Sequence, residues 1–142
     1  MAQKTLEQLP RQTCFDLLKE QKVGRFIFED EFGPAALPVN YAIAGEDVVF
    51  RVEDGSKRRA ARTNPVAFEV DHIDYSDKSG WSVLIRGVAT EIALEHVPEL
   101  MERMDGQPPT PWAAGVHNVW VKITPHAVSG RRLGTPFFGL MY

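Results

Sequence analysis

A single cysteine, Cys14, stands in this 142-residue chain. No intrachain disulfide can form. Without a second thiol or a Cys/His ligand spacing, the sequence gives no sign of a structural zinc site or of an oxidising compartment. Long apolar runs are missing too. None approaches the ~18 residues of a membrane-spanning helix, and Met1-Ala-Gln-Lys-Thr-Leu-Glu7 has no apolar signal core. The expectation is a cytoplasmic protein with no membrane partner. Positive charge is not in excess: the formal net charge is −3, which argues against nucleic acid as a partner. No Gly-x-Gly-x-x-Gly fingerprint, Ser-His-Asp set or paired-carboxylate arrangement can be read from the chain.

What remains is an ordinary globular composition, 44% hydrophobic and 25% charged, in a chain that fits one domain over residues 1–142. At this length a chain buries about 68% of its unfolded surface, so it needs no staples. There is no repeat, low-complexity segment or internal linker. Residues 10–21 read as a helix, with Pro10 in its first turn and Cys14, Leu17 and Leu18 on one face. Strands follow at 23–28, 36–43 and 47–52, the last two joined by the hairpin signal Ala44-Gly-Glu-Asp47. A short basic helix at 56–63 stops before Pro65. Val66, Phe68 and Val70 alternate as a fourth strand, 71–80 is a polar loop, and 81–92 is the longest strand candidate. Residues 95–104 form an amphipathic helix with Val97, Leu100, Met101 and Met104 inward. A Pro-rich loop at 105–115 contains Trp112, the sixth strand covers 119–123, and 128–142 is a tail. Six strands joined mostly by turns, with short flanking helices, predict a small closed antiparallel barrel. Its interior would be too small for a large ligand. Such a ligand would lie outside, covered by a second subunit.

The most telling stretch runs from Val48 to Arg62. A strand carrying Arg51 leads through Glu53-Asp-Gly55 into Ser56-Lys-Arg-Arg-Ala-Ala-Arg62. A helix start presents unpaired N–H groups and the positive end of its dipole. With the Ser56 hydroxyl, Lys57 and Arg51 beside it, this is a phosphate cradle suited to a nucleotide-like cofactor.

In order, the chain shows Val23-Gly-Arg25, Leu37-Pro-Val-Asn-Tyr41, Phe50-Arg51 with Gly55-Ser-Lys57, Phe68-Glu-Val-Asp71, and Gly80-Trp-Ser-Val-Leu-Ile-Arg-Gly87. This series resembles the pyridoxamine 5′-phosphate oxidase-like superfamily of FMN-binding split barrels. Within it the chain is similar to the flavin/deazaflavin oxidoreductase branch, near the nitroimidazole reductase-like members. The resemblance spans the first helix to Gly130-Arg-Arg132. It implies a six-stranded antiparallel split β-barrel, a homodimer with flavin at the subunit interface, and redox chemistry on a small-molecule substrate. It implies FMN as cofactor, with the deazaflavin coenzyme, FAD or haem as alternatives in the same fold. NAD(P)H would bind only transiently, at the flavin face. Carried over, Arg51, Ser56 and Lys57 would hold the phosphate, and Pro38, Val39, Asn40 and Tyr41 would lie along the isoalloxazine edge. Trp81 and Ser82 would contribute from the interface. Two positions depart from the pattern: Val52 stands where many relatives have Thr, and Arg132-Leu-Gly-Thr135 lacks the proline of a B6-seating segment. Oxidation of a B6 vitamer is therefore not expected.

Several residues carry a plainer reading as well. Trp81 reads equally as core or site, and Trp112 as interface plug or lid. Trp120, between Val119 and Val121, reads as packing. Arg58, Arg59 and Arg62 read as a solvated helix face, and Cys14 as an inert core residue. His72 reads as exposed. Arg131 and Arg132 read either as surface residues or as contacts to an anion.

Overall fold

The structure is a computed structural model and describes residues 5–53, 65–104, 108–109 and 119–134. Along the chain come β1 (Thr5–Gln8), α1 (Arg11–Leu18), β2 (Val23–Asp30), β3 (Gly33–Ala44), β4 (Asp47–Val52), β5 (Pro65–Asp74) and β6 (Ser79–Ile92). A 3₁₀ turn (Leu94–His96) leads into α2 (Val97–Glu102), and β7 (Val119–Gly134) follows. The sheet order is β1-β7-β4-β3-β2-β5-β6, and β6 also pairs with β7. Six strands thus close into a ring, as the sequence predicts, and every pairing is antiparallel. The seventh strand, β1, lies along the end of β7, with Leu6 opposite Leu133.

Two tight hairpins set the register of the first half. Gly33 at φ 112° closes the β2–β3 turn, and Gly45 at φ 65° closes the β3–β4 turn; side-chain-bearing residues rarely adopt such angles. Period-two alternation then decides the faces. Val48, Phe50 and Val52 on β4 point in, as do Phe26 and Phe28 on β2, Val66, Phe68 and Val70 on β5, and Val83 and Ile85 on β6. The interior is filled by rings. Phe26 stands 4.9 Å from Phe28 and 4.8 Å from Phe50, and Tyr41 lies 5.1 Å from Phe68. At Gly24 a Cβ would meet Phe68 Cζ at 2.5 Å, so the glycine is what lets that ring pack against β2.

α1 covers one end of the barrel with Cys14, Phe15, Leu17 and Leu18. It sits close on β7 because Gly130 has no side chain; a Cβ there would lie 2.5 Å from Cys14 Sγ. The Tyr41 hydroxyl, pointing inward, donates to the Leu18 carbonyl at the end of α1. A second, smaller apolar cluster lies outside the ring. There α2 sets Val97 and Leu100, followed by Met104, against Ala42, Ala44, Val49 and Trp120.

The structure corrects several expected boundaries. α1 ends at Leu18, where residues 10–21 were predicted helical. The predicted 95–104 helix begins as a 3₁₀ turn, and Met101 is 41% exposed rather than inward. β5 continues to Asp74, and β6 starts at Ser79, through residues expected as a polar loop. β7 continues to Gly134 through part of the expected tail. Hydrophobic alternation fades in these stretches because they extend past the filled interior, while backbone pairing carries on. The predicted helix at 56–63, and with it Ser56 and Lys57, lies outside the described residues, as does Trp112.

Candidate functional site

The neighbour of inward-facing Phe50 is outward-facing Arg51. Across the β4–β7 pair Arg51 stands opposite Trp120, and its guanidinium carbon lies 5.1 Å from the centroid of the Trp120 ring. Trp120 is itself buried, wedged between the barrel wall and α2. Arg51 Nε is cut off from solvent and has no hydrogen-bond partner. Among the described residues no carboxylate pairs with Arg51. An arginine laid on an indole, half-buried and without a counter-charge, keeps its positive charge available to an incoming anion.

The segment 38–41 lies beside it on β3. Asn40 is next in line after the pair Tyr41–Phe50 that joins β3 to β4. Tyr41 N–H donates to the Lys22 carbonyl at 3.1 Å. By antiparallel alternation, Val39 also turns its backbone to β2, whereas Pro38 turns its edge away. A proline is tolerated there because that position needs no N–H for the β2 ladder. The four predicted residues split by face. Pro38 is exposed and Asn40 half-buried on the outside, whereas Val39 packs against the core and Tyr41 belongs to it. Burial holds the Tyr41 phenol well above its ordinary pKa, so it stays neutral and structural. Any contact Tyr41 makes to a ligand falls to its backbone.

Trp81 and Ser82 lie on β6, separated from β3 by β2 and β5. Trp81 is only 9% exposed and joins the main core. Its edge still borders a cavity of about 380 Å³ shared with His72, Arg132 and Glu7, the residues beside it across β5, β7 and β1. Ser82 faces outward, opposite Asp71 on one side and Arg131 on the other. On this one chain, then, the structure brings Arg51 and the 38–40 edge together. It leaves Trp81 and Ser82 apart from them.

Between the two groups the outer face is charged. Arg25, opposite Pro38 and Glu69, reaches Glu69 at 2.9 Å and Asp71 at 3.2 Å. Burial, then the neighbouring Asp71, pushes the Glu69 carboxyl up to about 7 against the pull of Arg25. The motifs Val23-Gly-Arg25 and Phe68-Glu-Val-Asp71 predict no role for these three side chains. Trp120 packs as expected, and its contact with Arg51 is the part that the sequence does not predict. The signal was present in each case: a polar residue at an alternate position of an otherwise apolar strand, and a Trp at the outward position of β7. What joins them is register between strands far apart in sequence. Among the described residues no group of His, Cys, Asp and Glu is arranged to hold a metal ion, and no helix is long and apolar enough to cross a membrane.

Residues 10–132 match the family model described as pyridoxamine 5′-phosphate oxidase. The chain is 30% identical over 132 residues to the uncharacterized protein Rv0080 of Mycobacterium tuberculosis (strain ATCC 25618 / H37Rv), covering 89% of this chain and 84% of that protein. Among solved structures it is similar to the FAD binding protein from Mycobacterium smegmatis, with 30% identity and a TM-score of 0.67 over 90% of this chain and 98% of the other. It also resembles a FAD-binding protein from Mesorhizobium loti, at 21% identity and a TM-score of 0.73, covering 92% and 98% of the two chains.

Proposed function

The chain belongs to the pyridoxamine 5′-phosphate oxidase family, and from that membership we propose that it is a flavin-dependent oxidoreductase acting on a small organic substrate. The observation that carries the reading is Arg51, a cation that no carboxylate among the described residues pairs with, stacked on Trp120 beside the open edge of β3. Arg51 would hold the flavin's 5′-phosphate, with Ser56 and Lys57 supplying the remaining contacts. Pro38, Val39 and Asn40 would line the ring through backbone and side chain, and Tyr41 through backbone. The interior is packed with rings, so the cofactor lies on the outer face. A homodimer completes the site, the second subunit contributing Trp81 and Ser82. The flavin ring supplies the electron chemistry; this chain binds it, orients it and excludes water from it.

FMN and FAD share the riboflavin 5′-phosphate unit, so Arg51 has the same partner in either. The names of the Mycobacterium smegmatis and Mesorhizobium loti structures favour FAD as a second reading. Titration with riboflavin, FMN and FAD, followed by flavin absorbance and fluorescence, separates these. We expect FMN or FAD to bind well ahead of riboflavin, and the bound flavin to be reduced by NAD(P)H or dithionite and reoxidised by substrate. In Arg51→Ala the phosphate advantage should drop by about 10- to 150-fold, the equivalent of one charge-assisted hydrogen bond of roughly 1.5–3 kcal/mol. A wild-type protein that stays colourless with excess of every flavin would sink the proposal. Flavin binding without turnover by any reductant would turn it into a flavin-binding protein rather than an enzyme.

A further inference from the structure

Trp120 pairs across the sheet with Arg51, carries the Arg51 guanidinium carbon 5.1 Å above its ring centroid and is only 8% exposed. The indole also packs in the outer apolar cluster with Ala42, Ala44, Val49, Val97, Leu100 and Met104. The ring therefore cannot turn away without unpacking α2. Three other described arginines are oriented by carboxylates: Arg11, which also lies over Phe15, by Glu46, Arg25 by Glu69 and Asp71, and Arg103 by Asp47. Arg51 is set by an aromatic face instead, with Nε buried and unpartnered.

The chemical difference decides the use. A carboxylate would orient the guanidinium and also neutralise it, and a phosphate would then have to displace the carboxylate. An indole orients it through the ring quadrupole and leaves the full charge to the ligand. We infer that Trp120 is a positioning residue for anion binding: it holds the Arg51 guanidinium fixed, desolvated on one side and without a carboxylate partner among the described residues, so that a phosphate monoester meets a preformed cation. This deepens the reading of Arg51 as the flavin-phosphate ligand and rests on it. It also ties the site to α2, because the same indole is the floor under Arg51 and the plate on which α2 sits.

The test is the ratio of FMN to riboflavin affinity, which isolates the phosphate from the ring. Trp120→Leu keeps an apolar plug under α2 and removes the π face; Trp120→Phe keeps a smaller π face. We expect Trp120→Leu to lower the FMN/riboflavin ratio by roughly 3- to 30-fold, with riboflavin affinity unchanged. Trp120→Phe should recover most of the loss. Should Trp120→Leu not fold, wild-type protein grown on fluorinated tryptophans supplies the second measurement. Successive fluorines drain the ring quadrupole at constant shape, and the ratio should fall with each. A wild-type protein that prefers FMN, with a ratio unmoved by Leu or by fluorination, overturns the inference and leaves the Arg51 reading intact. Equal affinity of the wild type for FMN and riboflavin overturns both.

Discussion

The inner and outer faces of the same strands behave as two different materials. Inside, Phe26, Phe28, Phe50 and Phe68 fill the barrel with stacked and tilted rings, and among the described residues no charged side chain is buried. Outside, one residue along, stand Arg51 over Trp120, and Arg25 between Glu69 and Asp71. The interior is closed to ligands because it is full. The exterior can hold charge because solvent, an aromatic face or a counter-ion lies within reach of each group. A small barrel of this kind packs one face of a strand and charges the other, with residues of each kind adjacent in sequence.

The sharpest way to break that division is to mutate two neighbours. Phe50→Ala should cost about 3–5 kcal/mol, since it empties a site where two other rings meet. Arg51→Ala should cost under about 1 kcal/mol, because it gives up only the stacking on Trp120, and its main effect should be on flavin phosphate binding. Denaturant midpoints together with flavin titrations check both. If Arg51→Ala destabilised the protein as much as Phe50→Ala, the two faces would not be separate in function. A smaller loss of stability than at Phe50 is expected at Gly24, where an added Cβ would meet Phe68 Cζ at 2.5 Å and Val70 Cγ2 at 2.9 Å. Gly24→Ala should overpack the interior by roughly 1–3 kcal/mol, seen as a lowered thermal midpoint with flavin affinity nearly unchanged.

The mildest prediction concerns pH. The Glu69 carboxyl is raised from 4.5 to about 7, first by burial and then by Asp71. Below about pH 4.5 the group is protonated whether the chain is folded or not, and carries no penalty. As pH rises toward 7 the unfolded chain releases this proton while the folded one retains it. Stability is therefore lost progressively over that window and levels off above it. Glu69→Gln should remove this slope, so that the stability difference between variant and wild type grows from pH 4.5 to about 7. A difference constant with pH, in urea titrations at several pH values, would mean that Glu69 does not titrate in this way.

Much of the ring was legible because its signals are local. The Gly45 turn, the alternation in 47–52 and 66–70, and the long run of 81–92 each announce themselves within a few residues. The same holds for Arg51, whose strand and neighbours identify it as outward and basic. The far half of β7 was not legible. Thr124-Pro125 reads as a strand end, yet Pro125 pairs with Gly87 beside the register shift between Arg86 and Gly87, where an irregular ladder spares the missing N–H. β1 was missed because a four-residue strand has no periodicity of its own; it exists because the end of β7 offers it an edge. Tyr41 shows a limit of motif reading. Its segment is expected along a flavin ring, but the pleat sends the Tyr41 side chain inward to the end of α1.

By itself, then, the sequence determined which positions of 47–52 and 66–70 face in and out, where the Gly45 hairpin closes, and that a cation stands near the end of the 47–52 strand. Those properties follow from side-chain periodicity and from backbone angles open to glycine, and both act over a few residues. Only the tertiary structure decided that the cation would rest on Trp120, and that Arg25 would stand between Glu69 and Asp71. These partners lie on strands remote in sequence. Their meeting depends on how far each strand slides past its neighbour as the sheet closes, and that register is fixed by the packing of the rings inside.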